Sequence, residues 1–328
     1  MGAQVETLKH LSEEYRELNG THIEILDEPP SALEFSRLIH KSRPVVIKGY
    51  KPVNAANLWT NEYLANKLGE QEISIAVTPN GQADAVTQGP NGQLYFVEPL
   101  VEKMTMSAFL SHISEGEYHP ATTDVCYLQS QNGNLFSSDY FHGNANDCPS
   151  EFEPLRSDIL SEITWCSDAL GRSPDAVNIW IGDSRSITSI HSDPYENIYT
   201  VIRGAKYFTL LPPTDSWSLR ERSYPHAIYT RSESTADLQI TPSNAPAVRW
   251  SSITEPHVPG RLPPEIQPIH VTLYPGDTLY LPVGWWHHVR QAKELTVALN
   301  WWYDAEMQGM SWVWLNFLRG SRDVPPGN

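Results

Sequence analysis

The chain has 328 residues, 40% of them hydrophobic, with 39 acidic against 23 basic side chains and a formal charge of −16. That is enough for one large domain or two small ones with a buried core. The charge repels nucleic-acid phosphates and anionic lipid but suits a cationic peptide or protein partner, though acidity also serves plain solubility. No direct nucleic-acid binding and no membrane attachment are therefore expected. No stretch approaches the roughly 18 uninterrupted apolar residues of a membrane span, and the opening MGAQVETLKHLSEEYREL lacks an apolar signal core. Gly2 stands where N-myristoylation needs it, but position 6 is Glu where that signal wants Ser or Thr. The three cysteines, Cys126, Cys148 and Cys166, form no CxxC pair, which fits a reducing compartment. A cytoplasmic location, with a nuclear one also open, follows as an expectation.

Val5, Leu8, Leu11, Tyr15 and Leu18 fall at helical spacing, so residues 4–19 are predicted as an amphipathic helix. HIEIL alternates as a strand, PPSALEFSRLIHKS opens with the proline signal of a helix, and RPVVIKGY reads as a short buried strand. WTNEYLANKLG is helical with a glycine stop, and EISIAVTP is another strand. From about residue 121 short strands dominate: DVCYLQSQ, AVNIWIGD, SITSIHSD, NIYTVIRG, KYFTLLPP, IHVTLYPG, DTLYLPVG, WWHHVRQ and LTVALNWWY, punctuated by Gly, Pro and Asp. Such spacing predicts a mainly β protein with flanking helices, built on a double-sheet jelly roll. The stretch CPSEFEPLRSDILSEITWCSDALG is a polar, helical interruption. Residues 231–269, rich in Pro, Ser and Thr, carry no sustained period and suggest a lid or a disordered loop. The apolar tail AEMQGMSWVWLNFLRGSR suits a core cap or an oligomer contact. The expected organisation is an N-terminal helix-and-strand region packed on the core (1–120), a catalytic β core (121–305) and a C-terminal helical segment (306–328).

In a strand, i and i+2 share a face, so His191 and Asp193 can point into one cavity. A third ligand from LPVGWWHHV would complete two histidines and one carboxylate, the facial set of non-haem Fe(II) oxygenases. Zinc takes the same donors. His287 and His288 point opposite ways, and spacing does not choose between them. His22-Ile23-Glu24, with the same HxE spacing, reads as a chance pair. If the strand through Arg203 turns back at Gly204-Ala205, Arg203 pairs with Lys206, and Lys206 shares the face of residues 191 and 193. A buried, unpaired ammonium is costly, so an inward Lys206 implies a protein carboxylate or an anionic cosubstrate. A dicarboxylic 2-oxo acid meets that demand: one end chelates the ion beside dioxygen, while the other meets Lys206 and a hydroxyl such as Thr188 or Tyr127.

The segments TSIHSD, GAKYF, LPVGWWHHV and ALNWWY resemble the Jumonji-C (JmjC) family of iron- and 2-oxoglutarate-dependent oxygenases. The resemblance extends through RPVVIKG, ISIAVTPNGQADAV, PDAVNIWIGD and NWWYD. It implies a double-stranded β-helix of cupin type, with His191, Asp193 and His287 as ligands of Fe(II). It further implies that Thr188, Lys206 and Tyr127 hold the distal carboxylate of 2-oxoglutarate, that Asn197 and Asn300 line its pocket, and that the chain is a homodimer. Trp250, near EPHVPG, resembles a feature of a subgroup whose members hydroxylate lysine on developmentally regulated GTP-binding proteins, a translation-factor-related class. The expected activity is Fe(II)-, 2-oxoglutarate- and O2-dependent hydroxylation of a protein lysine, giving succinate and CO2. Tyr195, Glu196, Tyr199, Trp285 and Trp286 are candidate substrate contacts, although packing is the commoner role of such residues. The alternatives are a histone lysine demethylase or another histone-tail-directed enzyme, a non-catalytic metal-binding cupin, and a zinc hydrolase, which would leave Lys206 unexplained.

Overall fold

A computed structural model describes residues 2–52, 59–118, 124–129, 135–136, 150–320 and 324–327. Helix α1 (Gly2–Asn19) turns Leu8 and Ser12 inward, and its Ser12 and Arg16 side chains both engage Asp215. Strand β1 (Glu24–Leu26) leads to α2 (Ala32–Lys41), whose N-terminus is a capping box: Ser31 accepts from the Glu34 N–H, and Glu34 accepts from that of Ser31. Strand β2 (Val45–Ile47) then pairs parallel with β1. Helix α3 (Asn61–Leu68) starts at the Thr60 cap and stops at Gly69. Next come β3 (Glu72–Thr78), β4 (Gln82–Ala83), β5 (Ala85–Gln88), β6 (Leu94–Glu98), β7 (Leu100–Thr105), α4 (Met106–Tyr118) and β8 (Val125–Tyr127).

The stretch expected to be helical from Cys148 onward is a 3-10 turn (Glu153–Asp158) and a short α5 (Thr164–Leu170), Cys148 itself lying outside the described residues. The remainder is β9 (Ala176–Gly182), β10 (Ile187–His191), β11 (Tyr195–Arg203), β12 (Lys206–Leu211), a 3-10 turn (Pro213–Leu219), β13 (Arg222–Tyr224), β14 (His226–Arg231), β15 (Leu238–Pro242), β16 (Val248–Trp250), β17 (Ile269–Leu273), β18 (Thr278–Leu281), β19 (Trp286–Gln291), β20 (Thr296–Asp304) and α6 (Met310–Arg319). No helix among the described residues is long and apolar enough to cross a membrane.

Two sheets face each other: a six-stranded one in the order β1-β2-β18-β11-β20-β9 and a five-stranded one in the order β17-β12-β19-β10-β4. From β9 to β12, and again from β17 to β20, successive strands alternate between the sheets, which is the winding of a jelly roll. The first third does more than pack on this core. Strand β2 pairs with β18 and β4 pairs with β10, so the N-terminal region extends both sheets.

The winding corrects the hairpin expected at Gly204-Ala205. Strand β11 pairs with β18 and β20, whereas β12 pairs with β17 and β19. Arg203 and Lys206 are not partners; Gly204, at φ 74°, turns the chain from one sheet to the other. Lys206 still points inward, because alternation along β12 sets it beside Phe208 and Leu210 on the face toward the opposite sheet. Residues 231–269 also depart from a structureless lid: β14 and β15 form a hairpin that joins β5 and β6 in a four-stranded sheet, and β16 pairs with β13.

Strand β11 is buried over nearly its whole length because both of its faces are covered. Its odd positions, such as Asn197, Tyr199 and Val201, face the second sheet. Its even positions, Ile198 and Ile202, join Trp301, Tyr303, Phe35 and Phe109 in the core beneath the helices.

A candidate metal and cosubstrate site

The two histidines face each other because β10 and β19 run antiparallel with His191 opposite His287. Their ring centroids are 4.2 Å apart. Asp193 lies just past β10, its two oxygens 3.6 Å from His191 Nε2 and 3.5 Å from His287 Nε2. One donor atom from each of the three lies within 4.8 Å of the others. Backbone contacts orient both rings: His191 Nδ1 is 2.8 Å from the Ser189 carbonyl, and His287 Nδ1 is 3.1 Å from that of Trp285. With each Nδ1–H donating outward, both Nε2 lone pairs converge on Asp193. Burial, then the nearby His191, pushes His287 down to about 4 against the opposing pull of Asp193. It is therefore neutral near pH 7, the state in which imidazole ligates. His288 points the other way and stacks on His257 at 5.0 Å, so of the two neighbours it is His287 that faces Asp193.

Lys206 is fully buried. Its Nζ donates to Tyr127 Oη at 3.1 Å, and no carboxylate among the described residues pairs with it. Burial alone pulls its pKa down to about 7. The Tyr127 phenol is pushed up by burial, with the Thr188 side chain bonded to it acting in the opposite sense. On the other sheet, Trp180 Nε1 donates to Asn300 Oδ1 at 2.7 Å, and Asn300 Nδ2 donates to Asn197 Oδ1 at 3.1 Å. Tyr127, Thr188, Asn197 and Asn300 all line one cavity with His191, Asp193 and His287; Phe208, Val289 and Trp302 supply apolar walls.

The five candidate substrate contacts separate. Tyr195 is half-buried and stacks on Trp302 at 5.0 Å. Tyr199 lines the inner cavity. Glu196, of opposite parity, faces away from it: the carboxylate accepts from Tyr280 Oη at 2.8 Å, and burial pushes it up to about 7. Trp285 is a core residue whose Nε1 donates to the Ser42 carbonyl at 2.8 Å. Trp286 lies in a small core with Leu211 and Leu219, with Arg319 over its ring at 5.4 Å. Glu196 and Trp285 thus make packing contacts away from the cavity: Glu196 because β11 is covered on both faces, Trp285 because its indole reaches back to the end of α2 at Ser42.

Sequence reasoning passed over Asp84, Gln129 and Trp180 as site residues. Trp180 shares a face with Asn178 along AVNIWIG, but a strand buried at every position shows no polarity contrast. Asp84 and Gln129 come from segments that only the tertiary fold brings to His191.

The donor set fits a divalent metal, and the buried ammonium with its two hydroxyl neighbours fits a carboxylate. A Cupin-like domain model matches residues 30–309. The chain is 35% identical to the lysine-specific demethylase JMJ32 of Arabidopsis thaliana, over 95% of this chain and 90% of that one. It is 34% identical to the bifunctional peptidase and (3S)-lysyl hydroxylase JMJD7 of Homo sapiens, over 86% and 84%. It is 30% identical to JmjC domain-containing protein E of Dictyostelium discoideum, over 89% and 86%. Family members generally use Fe(II) and 2-oxoglutarate, for which the His-Asp-His cluster provides the matching donors. A jelly-roll core, that cluster and relatives spanning most of the chain lead to one conclusion: the protein belongs to the JmjC oxygenases of the cupin-like family.

Proposed function

We propose that the protein is an Fe(II)- and 2-oxoglutarate-dependent lysyl hydroxylase acting on a protein substrate, a GTP-binding protein of the translation-factor-related class. The observation that carries the oxygenase part of this reading is Lys206, a buried ammonium bonded to Tyr127, which lines one cavity with the three donors. His191, Asp193 and His287 would hold the iron, and Lys206, Tyr127 and Thr188 the distal carboxylate of 2-oxoglutarate. Bound together, iron and 2-oxoglutarate supply the oxidising chemistry, one atom of dioxygen going to the target carbon and the other to succinate as CO2 is released. The ring orientations hold both Nε2 lone pairs ready, so little reorganisation is needed to ligate. Asn197 and Asn300 are locked to Trp180 and give the cavity a fixed polar wall. Phe208, Val289 and Trp302 keep water from the reacting space.

Support for lysine as the target comes from the human relative, whose name specifies lysyl hydroxylation. The Arabidopsis relative is named for demethylation, so removal of methyl from lysine is the second reading. Mass spectrometry separates the two. Peptides of candidate GTP-binding proteins and methylated histone tails are incubated with the protein, Fe(II), 2-oxoglutarate and ascorbate, with Asp193→Ala as control. A gain of one oxygen on lysine, absent with Asp193→Ala, supports hydroxylation; loss of methyl supports demethylation. Succinate without either product retains the oxygenase and rejects both substrates.

A further inference from the structure

The cleft that opens beside His191 carries more negative charge than metal binding uses. Asp84, Phe96, Glu98, Gln129 and Trp250 line it, and it reaches His191 and Asp193. Asp84 sits just past β4 at φ 51°, a left-handed conformation that a short polar side chain tolerates. Two contacts hold it: Ser189 Oγ donates to its carbonyl at 2.6 Å, and Gln129 Nε2 donates to its Oδ2 at 3.0 Å. Ser189 Oγ also accepts from Trp250 Nε1 at 3.2 Å. The Asp84 backbone and the Trp250 indole are thus tied to the strand that carries His191, while the Asp84 carboxylate is held by Gln129. Burial, and then the charge of Glu98, push the Asp84 carboxyl up to about 6. His226 lies 3.2 Å from Glu98, but no lysine or arginine lines the cleft among the described residues.

The other wall is aromatic. Trp250 stacks nearly parallel on His191 at 6.1 Å, and the Phe96 ring lies 4.7 Å from that of Trp250. An alkyl stem can lie along these rings with a cation at its end between the carboxylates. A neutral side chain would leave Asp84 with the Gln129 amide but no lysine or arginine countercharge, and an anionic one would be repelled. A quaternary ammonium is still attracted by the rings but donates no hydrogen bond to the carboxylates.

We propose that Asp84 and Glu98 are specificity-determining residues that receive the free ε-ammonium of the target lysine, with Phe96 and Trp250 as the bed for its methylenes. This rests on the lysine-directed reading above and narrows it, because the cleft prefers unmethylated lysine to trimethyllysine and so favours hydroxylation over demethylation.

Saturation-transfer NMR on the full chain needs no metal. It compares Nα-acetyl-lysine N-methylamide with the norleucine isostere and the Nε-trimethyl analogue. The lysine amide binds, the other two bind about tenfold or more weakly, and Asp84→Asn and Glu98→Gln each lose about tenfold for the lysine amide at unchanged melting temperature. Glu98 is half-exposed, so its variant keeps the test open if Asp84→Asn folds poorly. Equal binding of the three amides, no binding of any, or variants that bind the lysine amide like the wild type overturn the proposal. The mass-spectrometric assay keeps the two readings apart. Amide binding through Asp84 without any lysine product removes the hydroxylase reading and keeps the cation slot. Equal product from wild type and the Asp84→Asn/Glu98→Gln double variant removes the slot and keeps the hydroxylase.

Discussion

A fully buried ammonium whose hydrogen bond goes to a phenol is a cost to the folded chain, and Lys206 is such a group. Its folded pKa of about 7 lies below the ordinary lysine value of 10.5. Between those values the unfolded state binds more protons, so this group's contribution to stability rises with pH across that window and is flat below it. Lys206→Met should therefore stabilise the protein without 2-oxoglutarate by about 1–3 kcal/mol near pH 6, the advantage shrinking as pH rises toward 9 in urea titrations. The same substitution should weaken 2-oxoglutarate on the order of 100-fold in calorimetry with Mn(II), while metal affinity changes far less. Because the charged lysine is the binding form, wild-type affinity for 2-oxoglutarate should fall as pH rises above about 7. A flat pH profile would argue against a charged Lys206 in the complex. Asp193→Ala should lose iron by more than about 100-fold in metal analysis and still give a cooperative melt. Much of this site was legible at the residue scale: the His191-Asp193 spacing and the isolated Lys206 were visible as letters. The choice of His287 over His288 was not, because parity within a strand says that neighbours oppose each other but not which face is inside.

At the scale of elements, the corner between β11 and β12 decides where Lys206 stands. A Cβ on Gly204 would come within 2.8 Å of Thr296 Cα and 2.9 Å of the Leu295 carbonyl, with φ at 74° besides. Gly204→Ala should cost roughly 1–3 kcal/mol in denaturant unfolding, and it should weaken 2-oxoglutarate by displacing Lys206; an unchanged affinity would show that the corner only supports the fold. The two-residue turn reads in sequence as a hairpin, since Gly-Ala between two strands is the local signal for one. It became a sheet-to-sheet corner because the pairing partners of β11 and β12 lie far away in sequence, in β17 to β20. Strands β9 to β12 and β17 to β20 were readable from β-branched and aromatic runs between turn residues. Strands β4 to β7 were not singled out, since segments such as QADAVTQ are short and polar.

At the scale of the whole molecule, α6 buries none of its residues and exposes Met310, Trp312, Trp314 and Phe317. Its C-terminal end is tied down by Arg319, whose guanidinium reaches the buried Glu221 at 2.7 Å, beside Arg249 at 2.6 Å from the same carboxylate. An apolar, exposed helix fits the homodimer expected from the family resemblance. Light scattering should give twice the chain mass for the wild type and a single chain mass for Trp314→Glu; a wild-type monomer at micromolar concentration would retire the dimer.

The sequence by itself determined the class of fold and the kinds of chemical group at the site, because short apolar runs, turn residues and i, i+2 ligand spacing are local properties of a strand. Only the tertiary structure decided which histidine faces Asp193, that Glu196 and Trp285 are packing groups, and that Asp84 and Gln129 reach the same cleft as His191. Those outcomes depend on contacts between segments far apart in sequence, such as His191 with His287. The free energy that selects one register over another comes from burying both faces of the sheets at once, which no local window of sequence contains.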